Sequence, residues 1–260
     1  LCAAGQIGLV SSAASRFGLP DTITACLFDL DGVLTQTATV HAAAWKQMFD
    51  EFLAAQAKQA GAAFVPFDPQ HDYDQYVDGK PRLDGTRDFL ASRHIDLPEG
   101  DETDAPDTPT IYGLSNRKND LVLERIRTEG VQTYPGSVDY VRKVRDAGLK
   151  TAVVSSSANT LDVLETTGIA DCFDARIDGV VAKERHLKGK PAPDTFLAGA
   201  DAVGAQPDQA AVFEDALAGV AAGRAGNFGL VVGVDRVGQA AALREHGADV
   251  VVDDLSELLR

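Results

Sequence analysis

Short apolar runs recur along this chain at 25–30, 150–155, 210–214, 228–234 and 248–252. Runs of this length and composition read as strands buried on both faces. Between them the apolar positions take helical spacing, at 137–147, 160–167, 194–203, 217–225 and 237–245. Strand-like and helix-like stretches therefore alternate. That alternation predicts an α/β fold, a Rossmann-like parallel sheet with helices on both faces.

Residues 38–129 break the rhythm. They hold almost no β-branched runs, and their apolar positions predict helices at 41–60, 85–92 and 116–128. Trp45, Met48, Phe49, Phe52 and Leu53 fall at i, i+3, i+4, i+7 and i+8, one apolar helix face. Core packing is therefore the plain reading of Met48 and a competing one for Trp45. Loops rich in Pro, Asp and Gly lie at 66–74 and 98–109. The pattern predicts a helical cap inserted after the first strand. The core domain would comprise 1–37 and 130–260, and the α-helical cap 38–129.

Composition narrows the partners. A chain of 260 residues is long enough for a large core with a smaller second unit. A formal net charge of -15 disfavours nucleic acid and anionic membrane surfaces. It leaves room for a small anion, because a basic pocket with a divalent ion reverses the field locally. No run has the apolar length of a membrane span. Cys2, Cys26 and Cys172 lack CxxC spacing and read as reduced thiols of a cytoplasmic protein. The first twenty residues are small and apolar without a basic stretch, so a secretory signal is not expected, and no function is assigned to them. The oligomeric state is not legible; a monomer is compatible with everything above.

Four segments carry candidate chemistry. In ACLFDLDGVLTQT, an apolar run delivers Asp29 and Asp31 with one residue between them, and Gly32 lets the chain turn away. On a strand, positions i and i+2 share a side, so both carboxylates would sit at its carboxyl end, where open α/β sheets bind ligands. Two acids this close call for a cation or a shared proton. Alone, Asp-Leu-Asp-Gly would more simply be an Asp/Gly turn. In TAVVSSSANT, the hydroxyls of Ser155, Ser156 and Ser157, with Asn159, precede a helix and suit a phosphate; equally, one serine caps that helix. In KGKPAPDTF, Lys190 stands on a stiff loop before Pro191, able to balance an anion, although a lone lysine is more often merely solvated, and Lys188 is a nearby decoy. In VFEDALAGV, Glu214 and Asp215 end a strand-like run and are good ligands for a hard cation such as Mg²⁺, or acids favourably placed at a helix start. The four together, in this order, are far more specific than any one.

On these motifs the chain resembles the haloacid dehalogenase-like phosphotransferase superfamily, and within it the β-phosphoglucomutase group. FDLDGVLT, YPG at 134–136, SSSAN, GKPAPDTF and FEDALAG carry the resemblance, with HAAAWK, GKPRLDG and RKND in the cap. It implies that Asp29 is a nucleophile forming an aspartyl phosphate and that Asp31 is the general acid/base. It implies Mg²⁺ held by Asp29, the Asp31 carbonyl and the Glu214–Asp215 pair. Ser155 and Lys190 would bind the transferring phosphoryl group, with Ser156 beside them. Arg82, Lys118 and Asn119, with Trp45 nearby, would hold the distal phosphate or sugar above Ser157 and Asn159. His41 would couple cap closure to Asp31. Gln36 stands where many relatives have Asp, which implies an altered loop hydrogen bond and intact chemistry.

The activity implied is conversion of β-glucose 1-phosphate to glucose 6-phosphate. The alternative is a sugar-phosphate phosphatase with water as acceptor. A catalytically silent binding module is disfavoured because Asp29, Asp31, Glu214 and Asp215 are all present. A mutase needs a second anion site, and Arg82, Lys118 and Asn119 are its candidates; without the resemblance, solvated surface would be the simpler reading of Arg82 and Lys118.

Overall fold

The computed structural model describes residues 14–259; Cys2 and most of the 1–20 segment lie outside them. The strands are β1 (Ala25–Phe28), β2 (Lys150–Val154), β3 (Ala175–Ile177), β4 (Ala210–Glu214), β5 (Leu230–Val234) and β6 (Val250–Val252). They form one parallel sheet in the order β3-β2-β1-β4-β5-β6. The direction of winding reverses between β1 and β4, and in open α/β sheets ligands bind outside the strand ends at such a point.

Alternation along each strand sorts the core into two layers. Cys26, Phe28, Val153, Phe213 and Val232 face one side, where α4 (Pro135–Asp146) and α5 (Thr160–Thr167) pack on them. Ala25, Leu27, Ala152, Val154, Val212 and Val231 face the other, under α7 (Asp194–Ala202), α8 (Leu217–Ala225) and α9 (Ala240–His246). The period of two in the side-chain directions makes this division. Phe28 and Phe213 stack at 4.5 Å between neighbouring strands. Cys26 and Cys172 are free and buried.

The sheet has a strand that the hydrophobic pattern does not announce. β3 is the three-residue edge strand Ala-Arg-Ile, with its first two residues half-buried, so it offers no apolar run. The short helix α6 (Gly179–Glu184) that follows has no fully buried residue.

Residues 37–129 hold α1 (Thr37–Ala60), α2 (Arg82–Ser92) and α3 (Ile111–Glu129), each starting earlier than its apolar pattern. Their common core is Trp45, Met48, Phe49, Phe52 and Leu53 against Phe67, Phe89, Ile111 and Leu114. The segments entering and leaving this helical unit run side by side. The Gln36 N–H donates to the Gln132 carbonyl, the Tyr134 N–H donates to the Leu34 carbonyl, both at 2.8 Å, and Thr35 bridges antiparallel to Thr133. The Gln36 side chain reaches the Thr133 carbonyl at 3.5 Å, so the residue that departs from the common pattern bonds across this two-stranded neck. Among the described residues, no helix is long and apolar enough to cross a membrane.

Candidate active site

Asp29 follows β1 directly and its N–H still donates to the Phe213 carbonyl, continuing the ladder. Two residues on, Gly32 turns at φ +85°, and a Cβ there would lie 1.7 Å from an Asp215 carboxylate oxygen. Glycine thus satisfies both the left-handed turn and the close approach of the β4 loop. Arg236 fixes this turn from behind, donating to the Gly32 and Val33 carbonyls at 2.9 and 3.2 Å while stacking on Tyr134.

Lys190 is the centre of the buried charge. Its ammonium donates to Asp29 at 2.5 Å, to Glu214 at 2.6 Å and to the Val154 carbonyl at 3.2 Å. Burial pulls its pKa down, but Asp29 and Glu214 outweigh burial, and the net displacement is upward. Glu214 also accepts from the Ala216 N–H at 2.8 Å. Asp29, Glu214 and Asp215 present oxygens within 4.8 Å of one another.

One ammonium does not neutralise these acids. Burial first, and then neighbouring carboxylates, push Asp29 up to about 6 and Glu214 to about 7 even against Lys190. Asp215 is driven well above the usual carboxylate range by burial, with Asp78, Glu214, Asp29 and Asp31 adding to it. An all-oxygen donor set with surplus negative charge fits a hard divalent cation such as Mg²⁺.

The stability of the metal-free protein should reflect this surplus. Carboxylates whose folded pKa lies above the unfolded value bind more protons in the folded state, so they favour folding at low pH. That contribution is fully present below about pH 4 and is lost as pH rises through the folded values of about 6 and 7. Thermal melts in EDTA are expected to lose Tm between about pH 4 and 8, and Mg²⁺ is expected to raise Tm most at the upper end. A Tm gain from Mg²⁺ that is independent of pH would sink this account.

Asp31 is partly buried and belongs to a second network. Thr37 at the start of α1 donates to one of its oxygens, and Ser155 approaches the other at 3.4 Å. His41 Nε2 lies 3.6 Å from the same carboxylate. Burial raises the Asp31 pKa, and the Thr37 hydrogen bond offsets part of the rise. The other ring nitrogen of His41 is 2.8 Å from Lys118 Nζ. Burial, then the Lys118 charge, depress His41 well below its usual value. Lys118 is itself buried, lies 4.8 Å above the Trp45 ring, and is lowered to about 7, mainly by burial.

Arg82 donates to the Asn119 side-chain oxygen at 2.8 Å, and Asn159 donates to the same atom at 3.1 Å, linking cap to core. The SSSAN loop is largely self-organised: the Ser155 hydroxyl accepts from the Ser157 N–H, and the Ser157 hydroxyl accepts from the Asn159 N–H. The Ser156 hydroxyl is turned to the cap, donating to the Gly79 carbonyl at 2.8 Å. Lys188 is exposed at the rim.

All the sequence-derived candidates except Lys190 and Glu214 line one cavity of about 780 Å³, and those two lie just beneath it. Thr37, Tyr73, Asp78 and Arg236 also serve the site and were not singled out from the sequence. Thr37 sits in the DGVLTQT loop, where a hydroxyl at a helix start was the available signal. Arg236 joins the site only through a fold contact 204 residues away in sequence from Gly32.

A carboxylate pair just after β1, a lysine across from it and an acidic pair at the end of β4, under a helical insert, form the site of an enzyme of the α/β class. Residues 23–227 match the haloacid dehalogenase-like hydrolase family, and the chain belongs to it. Over 245 residues it is 59% identical to the β-phosphoglucomutase of Mycobacterium bovis, covering 93% of this chain and 94% of that one. Identity to the β-phosphoglucomutase of Bacillus subtilis is 30% over 235 residues, 90% and 91% of the two chains. Among solved structures, the β-phosphoglucomutase of Clostridium difficile superposes with a TM-score of 0.71 at 27% identity, over 91% of this chain and 93% of the other.

Proposed function

We propose that the chain is an Mg²⁺-dependent phosphotransferase that converts β-glucose 1-phosphate to glucose 6-phosphate through an aspartyl phosphate on Asp29. The observation that carries this reading is cationic groups on both sides of one cavity: Lys190 just beneath its core end, beside Asp29, and Arg82 and Lys118 lining it from the cap. A bisphosphate held in either orientation needs both.

From glucose 1,6-bisphosphate, an Asp29 oxygen attacks the C1 phosphorus, the bond from phosphorus to the C1 oxygen breaks, and Asp31 gives that oxygen its proton, leaving glucose 6-phosphate. Asp31 then takes a proton from the 6-hydroxyl of a β-glucose 1-phosphate, which attacks the aspartyl phosphate, releases Asp29 and re-forms the bisphosphate. The raised Asp31 pKa suits a group that must hold a proton in one step and release it in the next. Ser155 and Lys190 orient and neutralise the transferring group, and Arg82, Lys118 and Asn119 take the far phosphate, with Ser157 and Asn159 beneath. Asp29, the Asp31 carbonyl, Glu214 and Asp215 would hold Mg²⁺, whose charge offsets that of the phosphoryl group and the nucleophile. In this reading residues 1–37 and 130–260 are the catalytic core, 38–129 are a lid that excludes water, and the enzyme works in the cytoplasm on a small sugar phosphate.

Hydrolysis is the second reading, favoured by the matched family being described as hydrolases. Incubation with Mg²⁺, β-glucose 1-phosphate and a trace of glucose 1,6-bisphosphate, followed by ³¹P NMR, separates the two. Glucose 6-phosphate without matching free phosphate is expected. Stoichiometric free phosphate would make it a phosphatase.

Lys118 adds a pH signature. It must be charged to hold a phosphate, and in the free enzyme it loses its proton near pH 7. kcat/KM is therefore expected to fall as pH rises above about 7, because this ratio reports the free enzyme. Lys118→Arg, which stays charged, should move the fall to higher pH. An unchanged alkaline limb in the variant would remove Lys118 from the binding role.

A further inference from the structure

The cap segment YDQYVDG at 73–79 carries two ionisable groups that no step above uses. Tyr73–Val77 is a single π-helical turn, and its closing bond runs from the Asp78 N–H to the Tyr73 carbonyl at 3.0 Å. Five-residue spacing on such a turn sets the two side chains on one side of it, where each shifts the other's pKa, while the Tyr73 hydroxyl donates to the Ala38 carbonyl at 3.4 Å. Isolated π turns are frequent at functional sites.

The segment is wedged against the loops that carry the core chemistry. Gly79 has φ +69°, and a Cβ there would stand 2.8 Å from the Ala216 side chain, the residue after Asp215. The Gly79 carbonyl accepts the Ser156 hydroxyl at 2.8 Å. Pro81 presses so closely on Gly189 that a Cβ on Gly189 would lie 2.1 Å from its ring. Asp78 is therefore carried to the acid centre by the closed cap itself, and it lines the cavity with Asp29, Asp31 and Asp215.

The charges that bear most on Asp78 are those of Glu214, Asp74 and Asp29, and Asp78 in turn bears on Asp215. All are carboxylates. Bringing a further carboxylate onto this centre opposes closure until a cation enters, and then favours it. Lys190 cannot fill that role, because its ammonium is already shared between Asp29 and Glu214.

We propose that Asp78, carried on the same turn as Tyr73, is a positioning residue that supplies a cap-borne negative charge to the divalent-cation site, so that cation binding and cap closure favour each other. The inference rests on the metal reading above. By linkage, each process must strengthen the other by the same factor. The resting state without metal would be more open, and loading the ion would prepare the lid for substrate.

The test is calorimetric titration of the metal-free full chain with Mg²⁺, for wild type, Asp78→Asn and Tyr73→Phe, with small-angle scattering of each before and after the metal. Asp78→Asn is expected to weaken Mg²⁺ binding about tenfold, within the usual range of coupling between sites. In the same variant the metal-free Tm should rise at neutral pH, because burial, and then Glu214, push the Asp78 carboxyl up to about 8, a cost to folding that the neutral amide does not carry. A merely structural residue would not move these two quantities in opposite directions. Tyr73→Phe should weaken Mg²⁺ in the same direction by a smaller factor, and it carries the test if Asp78→Asn fails to fold. Wild type should become more compact with Mg²⁺, and Asp78→Asn should respond less. Equal Mg²⁺ affinity in wild type and both variants would overturn the inference while leaving the metal site standing. Failure of wild type to bind Mg²⁺ would instead overturn the metal reading, and the inference with it.

Discussion

Asp29→Asn is expected to abolish turnover, by at least about 10⁴-fold, the order of loss when a covalent nucleophile is removed. The substitution keeps the shape of the side chain but removes the charged oxygen that would attack phosphorus. Asp29 is 6% exposed, and Lys190 approaches it at 2.5 Å. Two of the neighbouring acids are already engaged: Asp31 is held by Thr37, and Glu214 by Lys190 and the Ala216 N–H. The fold should survive, because one of several crowded acids becomes neutral and the metal-free Tm should not fall. Turnover with β-glucose 1-phosphate, and trapping of acyl phosphate with hydroxylamine, provide the measurement. Both signals should vanish together. Retention of more than about 1% of wild-type turnover would sink the assignment of Asp29, since even a misplaced general acid/base leaves less than that in many enzymes.

Lys190→Met should have the largest effect on stability. The Lys190 side chain is wholly buried between two carboxylates and lies 4.8 Å above the Phe196 ring. Methionine fills much of the same volume, so lost packing is a small part of the effect. What remains is a pair of buried carboxylates without their cation, and breaking such a pair destabilises by about 3–5 kcal/mol. The acids can escape by taking protons, and Asp29 and Glu214 already lie high at about 6 and about 7. The loss should therefore be modest near pH 5 and full near pH 8. Urea midpoints at the two pH values, in EDTA, measure it. A pH-independent loss would show that the lysine acts through packing and not through charge.

The candidate site was legible in sequence wherever it sat at the end of a strand. Asp29, Asp31, Ser155, Glu214 and Asp215 each follow an apolar run, and a buried parallel strand exposes little besides its carboxyl end. Lys190 was legible only because Pro191 marks a loop and because it stands in order with the rest. The edge strand β3 was not legible: three residues, two of them half-covered, carry no periodicity. Thr37, Tyr73, Asp78 and Arg236 were missed for another reason. For Tyr73, Asp78 and Arg236 the contacts run across the cap–core boundary or across some two hundred residues of chain, which neither spacing nor composition encodes; Thr37 is local, six residues from Asp31, and its hydroxyl at a helix start was the overlooked signal. Ser156 shows the same limit in reverse, since it belongs to a legible motif but its hydroxyl is spent on the Gly79 carbonyl.

The order in which the sheet must be assembled follows from the insertion after β1. Among the described residues, the first strand to leave the ribosome is β1, one of the two central ones, and its partners come late: Ala25 lies beside Lys150 on one side and Ala210 on the other. At the usual pace of synthesis, the roughly 120 residues between the end of β1 and the start of β2 take on the order of 10 s. During that interval the helical unit, whose contacts are local, can close around Phe49 while Cys26, Leu27 and Phe28 still have no neighbours. The nascent chain thus carries a strand that is fully buried in the finished fold unpaired for longer than any other described strand, leaving its apolar residues exposed to wrong partners in the meantime.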